Sequence, residues 1–240
     1  MNLSIITYGR GIFMSITLLS LDNVQDFKHY TKYLEFISSE RRDRIHSIKF
    51  NHNKVTSLLA EMLIRYRIYN DLNLDNRDIV FTYNEYGKPS LKFNANFHFS
   101  ISHTDNAIVY ISDEFPIGID IESIKVCNLT LAKRFFTPHE YEYIKCSNTP
   151  NQDFFKVWTM KESYIKMLGT GLHAPLNSFD VLKPTKNYTY YNTIHNENAI
   201  SVCGSYNATN HIEIVSMNIE NLLNIFCERF KSRQSKNISV

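Results

Sequence analysis

The sequence predicts an α+β protein built as two lobes, on three observations. Stretches with apolar residues three and four apart take turns with short alternating runs, in the order strand, helices, strands, then helices, strands. The β-type runs fall into two groups, one closing at Ile121 and one between Phe179 and Met217, with no sequence repeat between them. Hydrophobic residues make up 43% and charged residues 21% of the 240 positions, which suits a packed core and not a disordered chain. The economical arrangement is an N-terminal lobe over 1–112 and a C-terminal lobe over 113–240, meeting near residues 105–118 with a ligand cleft between them.

Each element has its own signal. Met1–Arg10 reads as an extension, with Met14 as an alternative start. Gly11–Leu21 is mildly leader-like, but one preceding Arg and no small-residue cleavage site make it a strand, and Met14–Leu21 alternates accordingly. Leu34–Phe50 is a helix with Ser39 as N-cap. Asn53–Tyr69 continues helical through Leu58, Leu59, Met62, Leu63 and Tyr66. Ile79–Tyr83 is a strand, and Asn84–Pro89 a turn by its Asn, Gly and Pro. Phe97–Ile101, Ala107–Ser112 and Ile117–Ile121 are further strands. Leu129–Phe136 is a helix, and Thr137, Pro138 and Glu140 open the next as N-cap, first residue and capping-box partner. Gln152–Leu168 is the longest helix and stops at Gly169. The tail Glu228–Val240 is basic, polar and frayed at its end.

Composition excludes several classes. Lys+Arg is 26 against 24 Asp+Glu, so a broadly polybasic protein is ruled out but a local basic site is not. The seven glycines form neither a dinucleotide-binding nor a P-loop pattern. Cys127, Cys146, Cys203 and Cys227 make no C-x-x-C pair, and read as reduced thiols of a cytoplasmic protein. No run approaches the roughly 18 apolar residues of a membrane helix. Arg41–Lys54 is the densest basic stretch but matches no nucleic-acid-binding motif, so neither membrane nor nucleic acid is expected as a partner.

Four groups of residues carry candidate chemistry. In the strand Gly118–Glu122, Asp120 and Glu122 share one face, where they repel unless a cation or base sits between them. The plain alternative is a solvated edge-strand face. In the long helix, Phe154, Val157, Tyr164, Ile165 and Leu168 form an apolar arc, with Glu162 and Lys166 stacked on the neighbouring face. That pair read alone is an ordinary surface contact. Lys161 falls inside the arc and must snorkel or find an anion. Ser100 and Ser102 share a strand face opposite Phe97, Phe99 and Ile101, and His103 at the strand end suits a phosphate better than it suits activation of Ser102. A capping or core histidine is the plain alternative. Arg41 and Arg44, three apart, suit a phosphate monoester or else a solvated basic face.

YGKP (Tyr86–Pro89), FSISHT (Phe99–Thr104), GIDIE (Gly118–Glu122), RFFTPHEY (Arg134–Tyr141) and WTMKESYIKMLGTGL (Trp158–Leu172) occur in one order at compatible spacing. With these segments the chain resembles the surfactin-synthetase-activating, Sfp-type 4′-phosphopantetheinyl transferases. The resemblance implies two similar α/β lobes related by a pseudo-twofold, with coenzyme A (CoA) and Mg²⁺ in the cleft. It implies a cytoplasmic, monomeric enzyme that moves 4′-phosphopantetheine from CoA to a serine of an apo acyl or peptidyl carrier protein, leaving 3′,5′-ADP. Asp120, Glu122 and Glu162 then become metal ligands. Lys166 contacts phosphate and shares with Glu162 the candidacy for handling the proton. Gly87, Lys88 and Pro89 line the adenine side, Ser102 and His103 hold phosphate, and Arg41, Arg44 and Ser57 stand near the 3′-phosphate.

The chemistry of these residue types agrees. Attack on a pyrophosphate needs charge neutralisation and a placed nucleophile. A lysine is a base only if its pKa falls well below about 10.4, whereas phosphates and Glu162 would raise it. Lys166 therefore reads as an electrostatic clamp, and Glu162 or a metal-bound water as the proton acceptor. Leu129–Ile144 offers Leu129, Phe135, Phe136 and Tyr141 beside Lys133 and Arg134 as a docking face for an acidic carrier helix, or else is a plain core helix. The alternative function is a catalytically degenerate CoA- or carrier-binding paralogue; the presence of Asp120, Glu122, Glu162 and Lys166 weighs against it.

Overall fold

The computed structural model describes residues 14–171, 175–205 and 212–230. The reading of Met1–Arg10 as an extension, residue Leu172 and the tail beyond residue 230 lie outside the described residues.

Strand β1 (Ser15–Ser20) pairs antiparallel with β5 (Ala107–Asp113), and β5 with β4 (His98–His103). On the other side β1 takes β9 (Glu213–Met217) as a parallel neighbour, giving the sheet order β4-β5-β1-β9. A second sheet, β6-β8-β7, is antiparallel throughout and is built from β6 (Ile117–Ser123), β7 (Thr189–His195) and β8 (Asn198–Gly204). Asn196 and Glu197, both at positive φ, make the two-residue turn between β7 and β8.

Alternation along the strands stacks these layers. Ile16, Leu18, Val109 and Ile111 of the first sheet meet Ile117, Ile119, Ile121, Ile200 and Val202 of the second in one apolar layer. The opposite face of the first sheet, through Leu19, Ile108 and Tyr110, packs on helix α2 (Asn51–Leu72). The opposite face of the second packs on helix α5 (Pro150–Leu168), which α3 (Leu129–Phe135) and α4 (Pro138–Lys145) flank. Each sheet thus carries one long helix on its outer side, the α+β architecture expected from the order of elements.

Several boundaries differ from expectation. The single helix over Leu34–Phe50 is a 3₁₀ segment (Thr31–Phe36) followed by α1 (Ser39–Ser47), and the N-cap is Ser38, whose Oγ accepts from the Arg41 N–H at 3.2 Å. Adjacent serines gave the same signal, and only the extended backbone of Ser38 decides between them. Pro89 does not end the turn but opens β3 (Pro89–Leu91), which pairs with β2 (Phe81–Tyr83) as a separate hairpin. Helix α6 (Ile219–Ile225) was not foreseen, although Asn218 caps it by accepting from the Asn221 N–H at 2.8 Å. Together β9 and α6 return the C-terminal segment to the first sheet and the α2 core. The Thr137 capping box forms as expected, with both reciprocal bonds present. All four cysteines are free thiols, and among the described residues no helix is long and apolar enough to cross a membrane.

Candidate active site

The site begins with a glycine. A Cβ on Gly118 would lie 1.9 Å from the Ser163 carbonyl oxygen and 2.4 Å from the Met167 nitrogen, so only glycine lets β6 touch the backbone of α5. With Ile119 and Ile121 buried in the inter-sheet core, Asp120 and Glu122 turn toward that helix, whose Glu162 and Lys166 are one turn apart.

Asp120 is the hub, and is 4% exposed. Its Oδ1 accepts from Ser102 Oγ at 2.8 Å and from Lys166 Nζ at 2.7 Å, and Lys166 Nζ also donates to Ser102 Oγ at 2.7 Å. Three residues far apart in sequence, from β4, β6 and α5, close one polar triangle. Ser100 supports it from the same strand face, its Oγ accepting from the Ile119 N–H at 3.0 Å. The other Asp120 oxygen, Oδ2, is buried without a hydrogen-bond partner.

The carboxylates feel one another. Burial first, then the Asp120 charge, and after the opposing pull of Lys166 the Glu162 charge, push the Glu122 carboxyl up to about 7. Burial and Asp120 raise Glu162 in the same direction. Among the described residues no three His, Cys, Asp or Glu side chains close on one point as a finished cage. An orphaned buried carboxylate oxygen beside two further carboxyls is instead an open oxygen donor set. It fits a hard divalent cation that completes its shell with oxygens of a bound ligand.

A cleft of about 290 Å³ opens at this point, walled by Gly87, Lys88 and Pro89 on one side and by Glu162, Ile165 and Lys166 on the other. His103 stands at the exposed end of β4, where desolvation and the Lys166 charge keep its pKa below the ordinary value. His52, on the first turn of α2, adds to that depression and had no signal in the sequence. Arg41 and Ser57 do meet, with Arg41 Nη2 donating to Ser57 Oγ at 3.0 Å. Arg44 instead pairs with exposed Glu40 at 2.7 Å and lies 5.2 Å from the Tyr83 ring. Lys88 borders the cleft, but its ammonium points at backbone carbonyls of α5.

The buried face of α5 includes Phe154, Val157 and Ile165 of the expected arc and is broader than expected, taking in Thr159, Met160 and Ser163 as well. Met160 is buried and Leu168, at the helix end, is 49% exposed, because α5 packs on β6 and β8 along one face and takes Phe136 against its own Phe154 and Trp158 on another. Lys161 finds its anion in Glu140 at 2.8 Å, with both side chains fully buried. Glu162 also borders a second cleft of about 380 Å³, with Arg134, Phe135, Trp158 and Leu176. On α3, Leu129, Leu131, Lys133 and Arg134 are exposed, with Arg134 lining this cleft, whereas Phe136 belongs to the core.

Comparison with known proteins bears on the same segments. Residues 116–214 match the 4′-phosphopantetheinyl transferase superfamily, and residues 25–115 match the 4′-phosphopantetheinyl transferase N-terminal family. The 4′-phosphopantetheinyl transferase gsp of Aneurinibacillus migulanus is 37% identical over 188 residues, covering 72% of this chain and 78% of that protein. The chain belongs to the 4′-phosphopantetheinyl transferases. The 4′-phosphopantetheinyl transferase Sfp of Bacillus subtilis is likewise 37% identical, covering 71% of this transferase and 74% of Sfp. The crystal structure of Thermotoga maritima holo-[acyl-carrier-protein] synthase is matched over 38% of the present chain and 62% of that one, at 16% identity and a TM-score of 0.33. In this transferase the two matched ranges meet between β5 and β6, beside the Asp120 hub.

Proposed function

We propose that this transferase moves the 4′-phosphopantetheine group of CoA onto a serine hydroxyl of an apo carrier-protein domain, with Mg²⁺ at Asp120, Glu122 and Glu162. The observation that carries the reading is the meeting of β6 carboxylates with Lys166 and Glu162 of α5 at the floor of a cleft, with one Asp120 oxygen left unpaired.

In the reaction the carrier serine oxygen forms a bond to the β-phosphorus of CoA, the bond to the bridging pyrophosphate oxygen breaks, and 3′,5′-ADP leaves. Gly87 and Pro89 line the nucleotide side of the cleft, and the Arg41–Ser57 pair offers donors for the 3′-phosphate. Ser102 and His103 hold pyrophosphate oxygens from the end of β4. Lys166 exchanges its Asp120 contact for the pyrophosphate and clamps the charge that grows on it. Magnesium, when bound, neutralises that charge as a Lewis acid. Glu162 borders both clefts, and so stands where a serine entering from the Arg134–Phe135 side can deliver its proton, directly or through one water.

That second cleft is our proposed carrier face. Its apolar floor and the exposed Lys133 and Arg134 suit an amphipathic helix with acidic residues beside its serine. Incubation with CoA, Mg²⁺ and a panel of apo acyl and peptidyl carriers, followed by intact-mass measurement, tests the function. A gain of one phosphopantetheine on at least one carrier is expected; no gain on any of them would refute it.

A further inference from the structure

The turn between β2 and β3 is one wall of the cleft, yet its polar side chains face across to the other wall. Lys88 Nζ donates to the Lys166 carbonyl at 2.6 Å and the Met167 carbonyl at 3.0 Å, and reaches the Ile117 carbonyl at 3.5 Å. An ammonium has three donors, and here backbone oxygens engage them all. Two of those oxygens are among the last four carbonyls of α5, which have no acceptor role inside the helix. Asn84 Nδ2 donates to the Gly169 carbonyl just past the helix end at 2.8 Å, while Asn84 Oδ1 accepts from the Lys88 N–H at 2.8 Å. A cation here also meets the negative end of the helix. Gly169 makes the approach possible, since at φ +72° it ends the helix left-handed, and a Cβ on it would lie 2.8 Å from Lys88 Cδ.

The residue whose Nζ holds Asp120 is therefore gripped from behind, at its own carbonyl, by the turn that lines the nucleotide side. The same ammonium reaches β6 at Ile117, three residues before Asp120. Burial among these carbonyls lowers the Lys88 pKa to about 8, as befits a group withdrawn from water. We propose that Lys88 is a positioning residue: it caps α5 from across the cleft and sets Lys166 against Asp120, and its ammonium does not contact CoA. The inference rests on the transferase reading above and assigns Lys88 a task within it.

Lys88→Met keeps the stem and removes the donors, Lys88→Arg restores charge and donors, and Asn84→Ala leaves the ammonium in place but removes the bond to the Gly169 carbonyl and the turn bonds accepted from the Tyr86 and Lys88 N–H groups. With wild-type transfer to an apo carrier as reference, Lys88→Met should lower kcat by about tenfold or more while KM for CoA moves by less than about threefold. Lys88→Arg should recover part of kcat, and Asn84→Ala should fall between wild type and Lys88→Met. Without substrates, hydrogen exchange at the amides of residues 167–171 should speed up in Lys88→Met and less so in Lys88→Arg. Should Lys88→Met not fold, the Arg and Asn84→Ala variants carry the same comparison: slower kcat and faster exchange with KM unchanged. A large rise in KM for CoA at unchanged kcat would make Lys88 a CoA contact and overturn the proposal, as would unchanged kcat and exchange. A wild type inactive on every carrier would refute the transferase reading, while the exchange data would still report on the cap.

Discussion

Lys166 and Asp120 form an ion pair at 2.7 Å, yet each has a separate partner in the proposed reaction. If Lys166 works through its charge, Lys166→Arg, which keeps the charge but cannot act as a base near neutral pH, should retain far more turnover than Lys166→Ala. Equal and near-total loss in both, with CoA binding intact, would make Lys166 the base. Glu122 supplies a second test. Its carboxyl is raised to about 7 by burial and by the neighbouring carboxylates, and a cation binds only the ionised form. Protons therefore compete with the metal as pH falls through 7. Affinity for Mn²⁺, measured calorimetrically without CoA, should weaken by up to about tenfold per pH unit below that point and level off above it. Affinity that stays flat between pH 5 and 8 would mean that Glu122 is no ligand. These residues were readable in the sequence because each signal is local: alternation puts Asp120 beside Glu122, and helical spacing puts Glu162 beside Lys166. What alternation does not encode is the partner across elements, so neither the Ser102–Asp120–Lys166 triangle nor the grip of Lys88 on α5 could be read from it.

Elements are fixed in register by two contacts of opposite character. Gly118 lets β6 rest on the α5 backbone, and no rotamer can relieve a Cβ 1.9 Å from a main-chain oxygen. Gly118→Ala should cost about 3 kcal/mol or more in urea unfolding and remove activity with it; a silent substitution would show that β6 and α5 have slack. On the far side of α5, Lys161 joins Glu140 and donates to the carbonyls of Leu176 and Phe179, while Glu140 accepts from the Val181 N–H. Glu140→Gln leaves a buried ammonium short of its counter-charge and should cost about 3–5 kcal/mol. Pairing it with Lys161→Met should recover part of that loss, because the double variant buries no charge. The arc position of Lys161 announced the need for an anion, and the capping box announced Glu140, but only the packing of α4 on α5 shows that the two needs meet.

At the scale of the whole molecule, two sheets with one long helix each bring β6 and α5 to a cleft whose other wall is the β2–β3 turn. The order of helical and alternating segments was enough to read that architecture. The return of β9 to β1 was not readable, since a parallel neighbour so distant in the chain leaves no local trace. The basic, apolar face around Lys133 and Arg134 predicts that reversing both charges raises KM for the carrier several-fold while leaving KM for CoA unchanged; an unaltered carrier KM would move the docking face elsewhere. The central claim, that carboxylates on β6 and α5 hold the metal for transfer from CoA, is tested most directly by weighing an apo carrier after incubation with CoA and either wild type or Asp120→Ala, each with Mg²⁺ or with EDTA. The account predicts a phosphopantetheine adduct with wild type and Mg²⁺, and almost none in the other three reactions. Full conversion by Asp120→Ala in EDTA would contradict it.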